Sequence, residues 1–524
     1  MTNSTIWKGP QQQAYSVDVF LLLIALLFIV IIYGFDKKEC WKLKQNFQFA
    51  ASLPGQSILL SIFDSILIAC NYKNLLDCVL ANTMKYDTPS RFMLGMDIYI
   101  LLSKPEDYKI VLTNVNGVDK SSVTKMWEVF LGDGIIRTSG ASHKIRRKLI
   151  QPTLNTKYLN EYVTLFDNYS NCCASYIKKE INGHTFDVKP YIARYAVDIY
   201  LATIMGIHGT AYKGEYDELW CWQEKLMKQI FSRMLKPWLY PESIFSLSEN
   251  AKQTRIAKKI IQDFLDSTMS TNFANNTLIY DTEYEFFEDK QSQASNSVFC
   301  NYLKRLKQHD CDIKEKNSRV SDENFADDIC NLYAAIQNTI TELTSSVLLM
   351  LSMHSEVQEK LRQEILLTFG TDNVDAKRLT NMRYLHMIIQ ETLRLFPTSP
   401  VISRQLTGDV ELESCTLPNG SYIMIPVFAI HRNPEYWHDP EKFLPERFSP
   451  ENSSSRHQYV YVPFGIGPRS CLGQRYTFLS VATIIVNLVR QFRFVSTETL
   501  TDIKLSTDII LRCQDGVKVS VFHI

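Results

Sequence analysis

Phe464-Gly465-Ile466-Gly467-Pro468-Arg469-Ser470-Cys471-Leu472-Gly473 is the stretch on which the reading of this 524-residue chain turns. Just beyond it, Phe478, Val481, Ala482, Ile485, Leu488, Val489 and Phe492 recur at helical spacing, which predicts a helix over 476–492. Cys471 therefore lies just ahead of a helix N-terminus. There the aligned peptide dipoles favour negative charge, lower a thiol pKa and point N–H groups at the sulfur. Gly467 permits a tight turn. A lone cysteine beside such a turn is more often a small buried residue. The fixed spacing of its neighbours is what argues otherwise.

Phe464, Gly467, Arg469, Cys471 and Gly473 fit the pattern FxxGxRxCxG. Average residue usage would give that match by chance with a probability on the order of 10⁻⁴ or less in a chain this long. On these residues the chain resembles the cytochromes P450. The resemblance implies that Cys471 is the axial thiolate ligand of a haem iron, pushing electron density that favours O–O cleavage. It implies that Gly473 leaves room for the porphyrin face, that Phe464 shields the sulfur, and that Arg469 pairs with a haem propionate.

Further segments follow in the family's order. Glu391 and Arg394 stand three apart on a helix expected over 383–396 and stopped at Pro397, so they share a face. Pro445-Glu446-Arg447-Phe448 follows, and the family pairs that arginine with the Glu391–Arg394 duo. His431-Arg432-Asn433-Pro434 precedes it. Arg404 and Arg147 resemble further propionate ligands. His143 stands four residues before Arg147, where the family has Trp, and is expected to give a ring N–H to the haem without the indole's packing. Leu131 to Gly134, Arg146 to Leu149, Asp198 to Gly206 and His354 to Lys360 are similar to segments of the microsomal family-4 clan.

A long helix is expected over 322–353, with Ile329, Leu332, Ile336, Ile340, Leu343, Val347 and Leu351 at helical spacing. Spacing back from His354 puts Ala335-Ile336-Gln337-Asn338-Thr339-Ile340 on the family's oxygen-activating turn. Thr339 is kept there and is expected to pass protons to dioxygen, with Asn338 beside it in place of an acid. Ile336 replaces a glycine. Ala335 replaces the glutamate that forms a haem ester in many family-4 enzymes, so the haem b is expected to be non-covalent. Residues 114–133, Val401, Ile402, Ile509 and Ile510, with Ala335 and Ile336, match the family's substrate-contact regions.

The rest of the chain bounds these expectations. Lys plus Arg and Asp plus Glu number 56 each, which gives no reason to expect a nucleic-acid partner. Twelve scattered cysteines with no CxxC pair fit reduced thiols in the cytosol. Residues 19–35 are apolar apart from Gly34 and are followed by Lys37, Lys38, Lys42 and Lys44. That reads as one uncleaved transmembrane helix with its C-terminal flank in the cytosol. Short β-like runs are expected at 97–102, 410–412, 422–427 and 517–522, and a surface loop at 272–317. The expected fold is mainly α, a cytochrome P450 fold with a small β region after that anchor. Residues 1–45 form the anchor and its basic flank, and 46–524 the haem domain.

The resemblance implies a monooxygenase at the endoplasmic reticulum membrane, single-pass, N-terminus lumenal and catalytic domain cytosolic. It implies dioxygen, an apolar fatty-acyl, terpenoid or hormone-like substrate, membrane lipid as a partner, and NADPH-cytochrome P450 reductase. NADPH, FAD and FMN enter only through that reductase, and cytochrome b5 is an optional second donor. The competing readings are a haem-thiolate isomerase or dehydratase that rearranges a peroxide without a reductase, and a non-catalytic haem-binding protein. Enzymes of the isomerase kind commonly lose the threonine that this chain keeps.

Overall fold

Residues 46–524 are described by the computed structural model, except 71–73, 96, 182–183, 282–296, 313–321 and 455. The expected anchor at 19–35 lies outside the described residues. Among the described residues no helix is long and apolar enough to cross a membrane.

The helices that carry the site are α1 (Gly140–Ile150), α2 (Thr156–Ile177), α3 (Lys189–Tyr200), α4 (Asp217–Leu235), α5 (Asp322–Met353), α6 (Arg383–Leu395) and α7 (Gln474–Val489). α5 packs on α3 and α7, and α7 packs on α2. The apolar stripe expected on α5 explains this: Ile329, Ile340, Leu343, Val347 and Leu351 are buried. Two hydroxyls turn back to the helix itself, Thr341 Oγ1 onto the Gln337 carbonyl at 2.6 Å and Ser352 Oγ onto the Leu349 carbonyl at 2.7 Å, while Thr344 Oγ1 and Ser345 Oγ are buried without a partner. α6 closes with the Phe396 N–H on the Thr392 carbonyl at 2.7 Å, and Pro397 prevents a further turn.

α7 is shorter than its apolar periodicity suggests. It ends at Val489, and Phe492 instead opens a strand, Phe492–Val495. A buried Phe satisfies either pattern, and here the C-terminal strand is at hand to take the backbone bonds. The described parts of the stretch 272–317, expected as a loop, are helical. One helix runs over Glu249–Asp281 and another over Val298–Asp312. Val298, Phe299, Tyr302 and Leu306 are buried on the second, a short stripe that the polar composition conceals.

Four strands form the main sheet: β1 (Ser90–Leu94), β2 (Asp97–Leu101), β4 (Ile402–Gln405) and β7 (Tyr422–Ile425), in the order β1-β2-β7-β4. β1 and β2 are an antiparallel hairpin, β2 and β7 run parallel, and β4 returns antiparallel on β7, with Arg404 opposite Ile423. β3 (Phe186–Asp187), β8 (Phe492–Val495) and β11 (Lys518–His523) form a second sheet. β5 (Val410–Glu411) and β6 (Thr416–Leu417) form a small antiparallel pair. β9 (Leu505–Thr507) and β10 (Leu511–Cys513) form a separate hairpin. The Leu511 N–H donates to the Thr398 carbonyl at 3.1 Å, which docks that hairpin on the loop after α6.

The segment before α1 is tied to both sheet and helix. Gln405 N–H bonds the Asp119 carbonyl at 3.0 Å, and Ser121 Oγ bonds Ser403 Oγ at 2.9 Å. Farther along, Asp133 and Ile135 N–H groups donate to Asp327 and Asp328 on α5, both at 2.7 Å. Cβ atoms on Gly132 and Gly134 would meet Asp327 and Asn331 at 2.0 and 2.1 Å, so only glycine permits that approach. Arg146 of α1 pairs with the buried Asp328 at 3.1 Å.

Candidate active site

The cysteine loop is shaped by its own backbone. The Cys471 N–H donates to the Phe464 carbonyl at 2.9 Å, and the Ser470 N–H to the Gly467 carbonyl at 3.0 Å. Gly467 has φ +73°, and a Cβ there would lie 2.2 Å from the Leu112 carbonyl oxygen. Both the turn and the close approach therefore require glycine. A Cβ on Gly473 would meet only the Cys471 sulfur, at 4.0 Å. The Gly473 side of the loop thus faces open space next to Sγ. Phe464 is half-buried, its ring 5.8 Å from that of Phe478 on α7.

Cys471 is exposed by surface area. Yet burial pushes its thiol above the ordinary value, opposed by the Gly473 N–H and the charge of Arg147. Both hold if the sulfur opens onto a cleft inside the molecule rather than onto bulk water. This corrects the expectation of a lowered thiol pKa. α7 begins three residues on, at Gln474, and desolvation outweighs what the helix end supplies. A bound metal cation would reverse that balance and hold the sulfur as thiolate.

A group of cations surrounds the loop. Burial, and then Arg404 and Arg469, push the Lys120 ammonium far down. Arg404 is driven to about 10 by burial and then Arg469. Arg469 is driven to about 10 by burial, with Asp119 opposing and Arg147 adding to the effect. His143 falls to about 3 by burial and then Arg469, Arg147, Lys120 and Arg404, so it is neutral at neutral pH. The arginines bond mainly backbone carbonyls: Arg147 to Ser470 at 2.7 Å, Arg404 to Ser403 at 2.7 Å, and Arg469 to Val118 at 2.9 Å, Ile135 at 3.3 Å and Thr138. Arg404 Nε is buried with no partner. Clustered like charges with an orphaned N–H call for an anion with several oxygens. Haem propionates fit that demand, and the sulfur beside Gly473 fits the iron. Lys120 escaped the sequence reading. It is one lysine in an irregular segment, and nothing local marks it as a neighbour of residue 404.

Behind the loop, Glu391 accepts both Arg394 Nε and Nη2 at 2.8 Å, Arg447 Nε at 3.2 Å and the Leu444 N–H at 2.9 Å. Glu391 and Arg394 are both fully buried. Arg394 also reaches the carbonyls of His431, Pro440 and Lys442, and Arg447 that of Asp439. The expected Glu–Arg–Arg arrangement is therefore formed, with backbone acceptors taking the remaining Arg394 protons.

On α5, Ala335 is exposed and Ile336 and Thr339 are half-exposed, although Ala334, Gln337, Asn338 and Ile340 around them are buried. Exposure at i, i+1 and i+4 on a helix inside the molecule marks the stripe facing the cleft. Asn338 lies on another side of the helix. Its Nδ2 donates to the Ala334 carbonyl at 2.9 Å and its Oδ1 accepts from Arg512 Nη2 at 2.9 Å. Asn338 is thus committed away from Thr339's side, which corrects its expected part in proton delivery.

Arg512 of β10 is the centre of a second buried charge group. It pairs with Asp508 at 2.9 Å and with Glu342 and Glu224 at 2.6 Å each. Lys189 of α3 bridges Glu224 and Glu342 at 2.6 and 2.7 Å. Burial works against the Arg512 charge, but Glu342, Asp508 and Glu224 outweigh it and hold its pKa above the ordinary value. Burial likewise opposes the Glu224 charge, and Arg512 and Lys189 together bring its pKa below the usual range. No local signal in the sequence links these residues. Val401, Ile402, Ile509 and Ile510 are all half-exposed apolar side chains.

The family model described as Cytochrome P450 matches residues 54–521. The chain is 28% identical over 499 residues to "Cytochrome P450 4c21" of Blattella germanica, covering 94% of this chain and 97% of that protein. It is 26% identical over 523 residues to "Cytochrome P450 4c3" of Drosophila melanogaster, covering 98% and 96%. It is 29% identical over 433 residues to "Cytochrome P450 4V2" of Mus musculus, covering 82% and 81%.

Proposed function

The chain belongs to the cytochrome P450 family and resembles its family 4, and from that premise we propose that this haem monooxygenase hydroxylates or epoxidises an apolar lipid-like substrate of fatty-acyl, terpenoid or hormone-like class. Its electrons come from NADPH through the FAD- and FMN-containing P450 reductase, with cytochrome b5 as an optional second donor. The observation that carries the reading is the exposed Cys471 sulfur beside mutually repelling Lys120, Arg404 and Arg469, with Arg404 Nε buried and unpartnered. Bound haem supplies oxygen activation: dioxygen, two electrons and two protons put one oxygen atom into the substrate and the other into water.

The chain's own residues do the rest. Cys471 ligates the iron, with the Gly473 N–H and Arg147 stabilising its negative charge. Lys120, Arg404, Arg469 and the neutral His143 hold the propionates. The Thr339 hydroxyl moves protons at the cleft-facing turn. Ile336, Val401, Ile402, Ile509 and Ile510 exclude water and shape the apolar space. Ala335 offers no carboxylate, so the haem is non-covalent, and acid-organic extraction after turnover releases it unmodified. The body lies on the cytosolic side of the endoplasmic reticulum, where protease added to sealed microsomes degrades it without detergent.

The test has two stages. Reduced protein with carbon monoxide gives the strongly red-shifted Soret band of a thiolate complex, and Cys471→Ser abolishes it. An unchanged band in the variant overturns the ligand assignment. NADPH, peroxide and product are then balanced with purified reductase. Rearrangement of lipid hydroperoxides without any NADPH consumption replaces the monooxygenase reading with the isomerase one. A thiolate band with neither activity leaves a haem-binding protein.

A further inference from the structure

Arg469 donates to the carbonyls of Val118, Ile135 and Thr138. The last two belong to the segment before α1 that is clasped to the N-terminal turns of α5. Three side chains of α5 make the clasp. Asp327 accepts the Asp133 N–H and Asp328 the Ile135 N–H, both at 2.7 Å, and Asn331 Oδ1 accepts the Ile136 N–H at 2.9 Å. Asn331 Nδ2 also donates to the Leu131 carbonyl at 2.7 Å. Asp328 is the best anchored of the three. It is fully buried, and it accepts the Tyr302 hydroxyl at 2.6 Å from the helix Val298–Asp312 and Arg146 Nη1 at 3.1 Å from α1. The Ile135 residue is therefore bonded on both sides. Its N–H goes to Asp328, and its carbonyl takes Arg469 Nη1 at 3.3 Å.

We propose that Asp328 is a positioning residue for the haem: through the Ile135 peptide it fixes a carbonyl that orients Arg469. The inference rests on the proposed function, in which Arg469 holds a haem propionate. A guanidinium is a rigid plane of donors, so its acceptors decide where it points. Nε, Nη1 and Nη2 of Arg469 each meet a different backbone carbonyl, which leaves its remaining N–H groups for an anion. Arg147 beside it repels it, and Lys120 and Arg404 stand in the same field of positive charge. A side chain repelled in this way stays in place only if its acceptors are themselves held. Arg146 and Tyr302 hold the Asp328 carboxylate, and Asp328 holds the peptide. The bond that reaches Arg469 is thus the one to the Ile135 N–H, and the Arg146 ion pair serves it from behind.

The experiment measures haem loss from the full-length ferric protein to an excess of apo-globin, followed in the Soret band, together with the thermal midpoint. Asp328→Ala and Arg469→Lys each speed haem loss about tenfold, as removal of an outer support of a metal site does. Arg469→Lys keeps a cation but loses the plane that the carbonyls orient. The double variant loses haem no faster than the faster single one, because both changes act on one chain of contacts. A merely structural role would instead multiply the two effects, and that result overturns the proposal. Unchanged haem loss in Asp328→Ala overturns it too. Asp328→Asn combined with Arg146→Gln keeps an acceptor for the Ile135 N–H without the ion pair. It loses haem as slowly as wild type even where its midpoint falls, and fast loss from it assigns the effect to the ion pair and sinks the positioning role. Where Asp328→Ala takes up no haem, Asn331→Ala is read in its place. It removes the neighbouring acceptor, speeds loss about threefold, and adds nothing in the Arg469→Lys background; a full threefold there overturns the proposal. Absence of a thiolate band in wild type is a different failure, that of the proposed function.

Discussion

Two buried knots of charge flank the cleft, and they close differently. Around Glu391, one carboxylate serves two arginines and a backbone N–H, and the guanidinium protons left over go to four backbone carbonyls. Around Arg512, three carboxylates, a lysine and an amide converge from three helices and a hairpin. There Asp508 Oδ2 is buried without a partner, and the next residue is backbone-strained. The first knot ties loops to one helix, with Glu391 and every Arg394 N–H partnered. The second ties α3, α4 and α5 to the β9–β10 hairpin and lies beside the strained Ile509 backbone. The difference teaches that burial alone does not tell an architectural network from one that tunes a site. Completeness of the hydrogen bonding does.

Removing the centre of the first knot should have the largest effect. Glu391→Ala leaves Arg394 and Arg447 buried without a counter-charge, a loss of about 3–5 kcal/mol. Expression should yield little folded haem protein, read as haem content and thermal midpoint. A near-normal midpoint would remove the contrast between the knots. Glu342→Gln should cost less, about 1–2 kcal/mol, because Arg512 keeps Asp508 and Glu224, and Glu224 reaches solvent. Denaturant titration of the two variants side by side decides the ranking.

Thr339→Ala should leave stability within about 0.5 kcal/mol, as expected where no closed network is broken. It should lower product formation about tenfold, beneath the roughly 10²–10⁴-fold of a fully positioned proton donor, and raise peroxide per NADPH. Unchanged coupling would take the proton role from Thr339.

The last effect concerns acid and is absent at neutral pH. His431, whose carbonyl serves Arg394, is pushed to about 3 by burial and then by Arg394 and Arg432. Its Nε2 accepts the Val462 N–H at 3.1 Å, so the neutral ring is the one the fold needs. The unfolded chain binds a proton near 6.5 and the folded chain does not until about 3. The stability it contributes is therefore complete above pH 6.5 and is lost as pH falls from there towards 3. His431→Gln keeps an acceptor for Val462 and should flatten the acid limb of the midpoint-versus-pH curve. An unaltered limb would assign acid sensitivity to other groups.

The sequence by itself determined whatever is written in local spacing. The five fixed residues from Phe464 to Gly473 marked the ligand loop, and Gly467 proved irreplaceable on both backbone conformation and room. Periodicity and Pro397 bounded α5 and α6, and three-residue spacing put Glu391 and Arg394 on one face. Tertiary structure decided what depends on how faces meet. Helical phase could separate Asn338 from Thr339, but only packing showed that one side met Arg512, 174 residues away, and the other a cleft. Lys120, Arg404 and Arg469 are far apart in the chain and became one cation cluster only because β4 carries Arg404 beside the segment leading into α1. The Cys471 thiol was expected to fall and rises instead, since desolvation is a property of everything around a sulfur and not of the residues next to it.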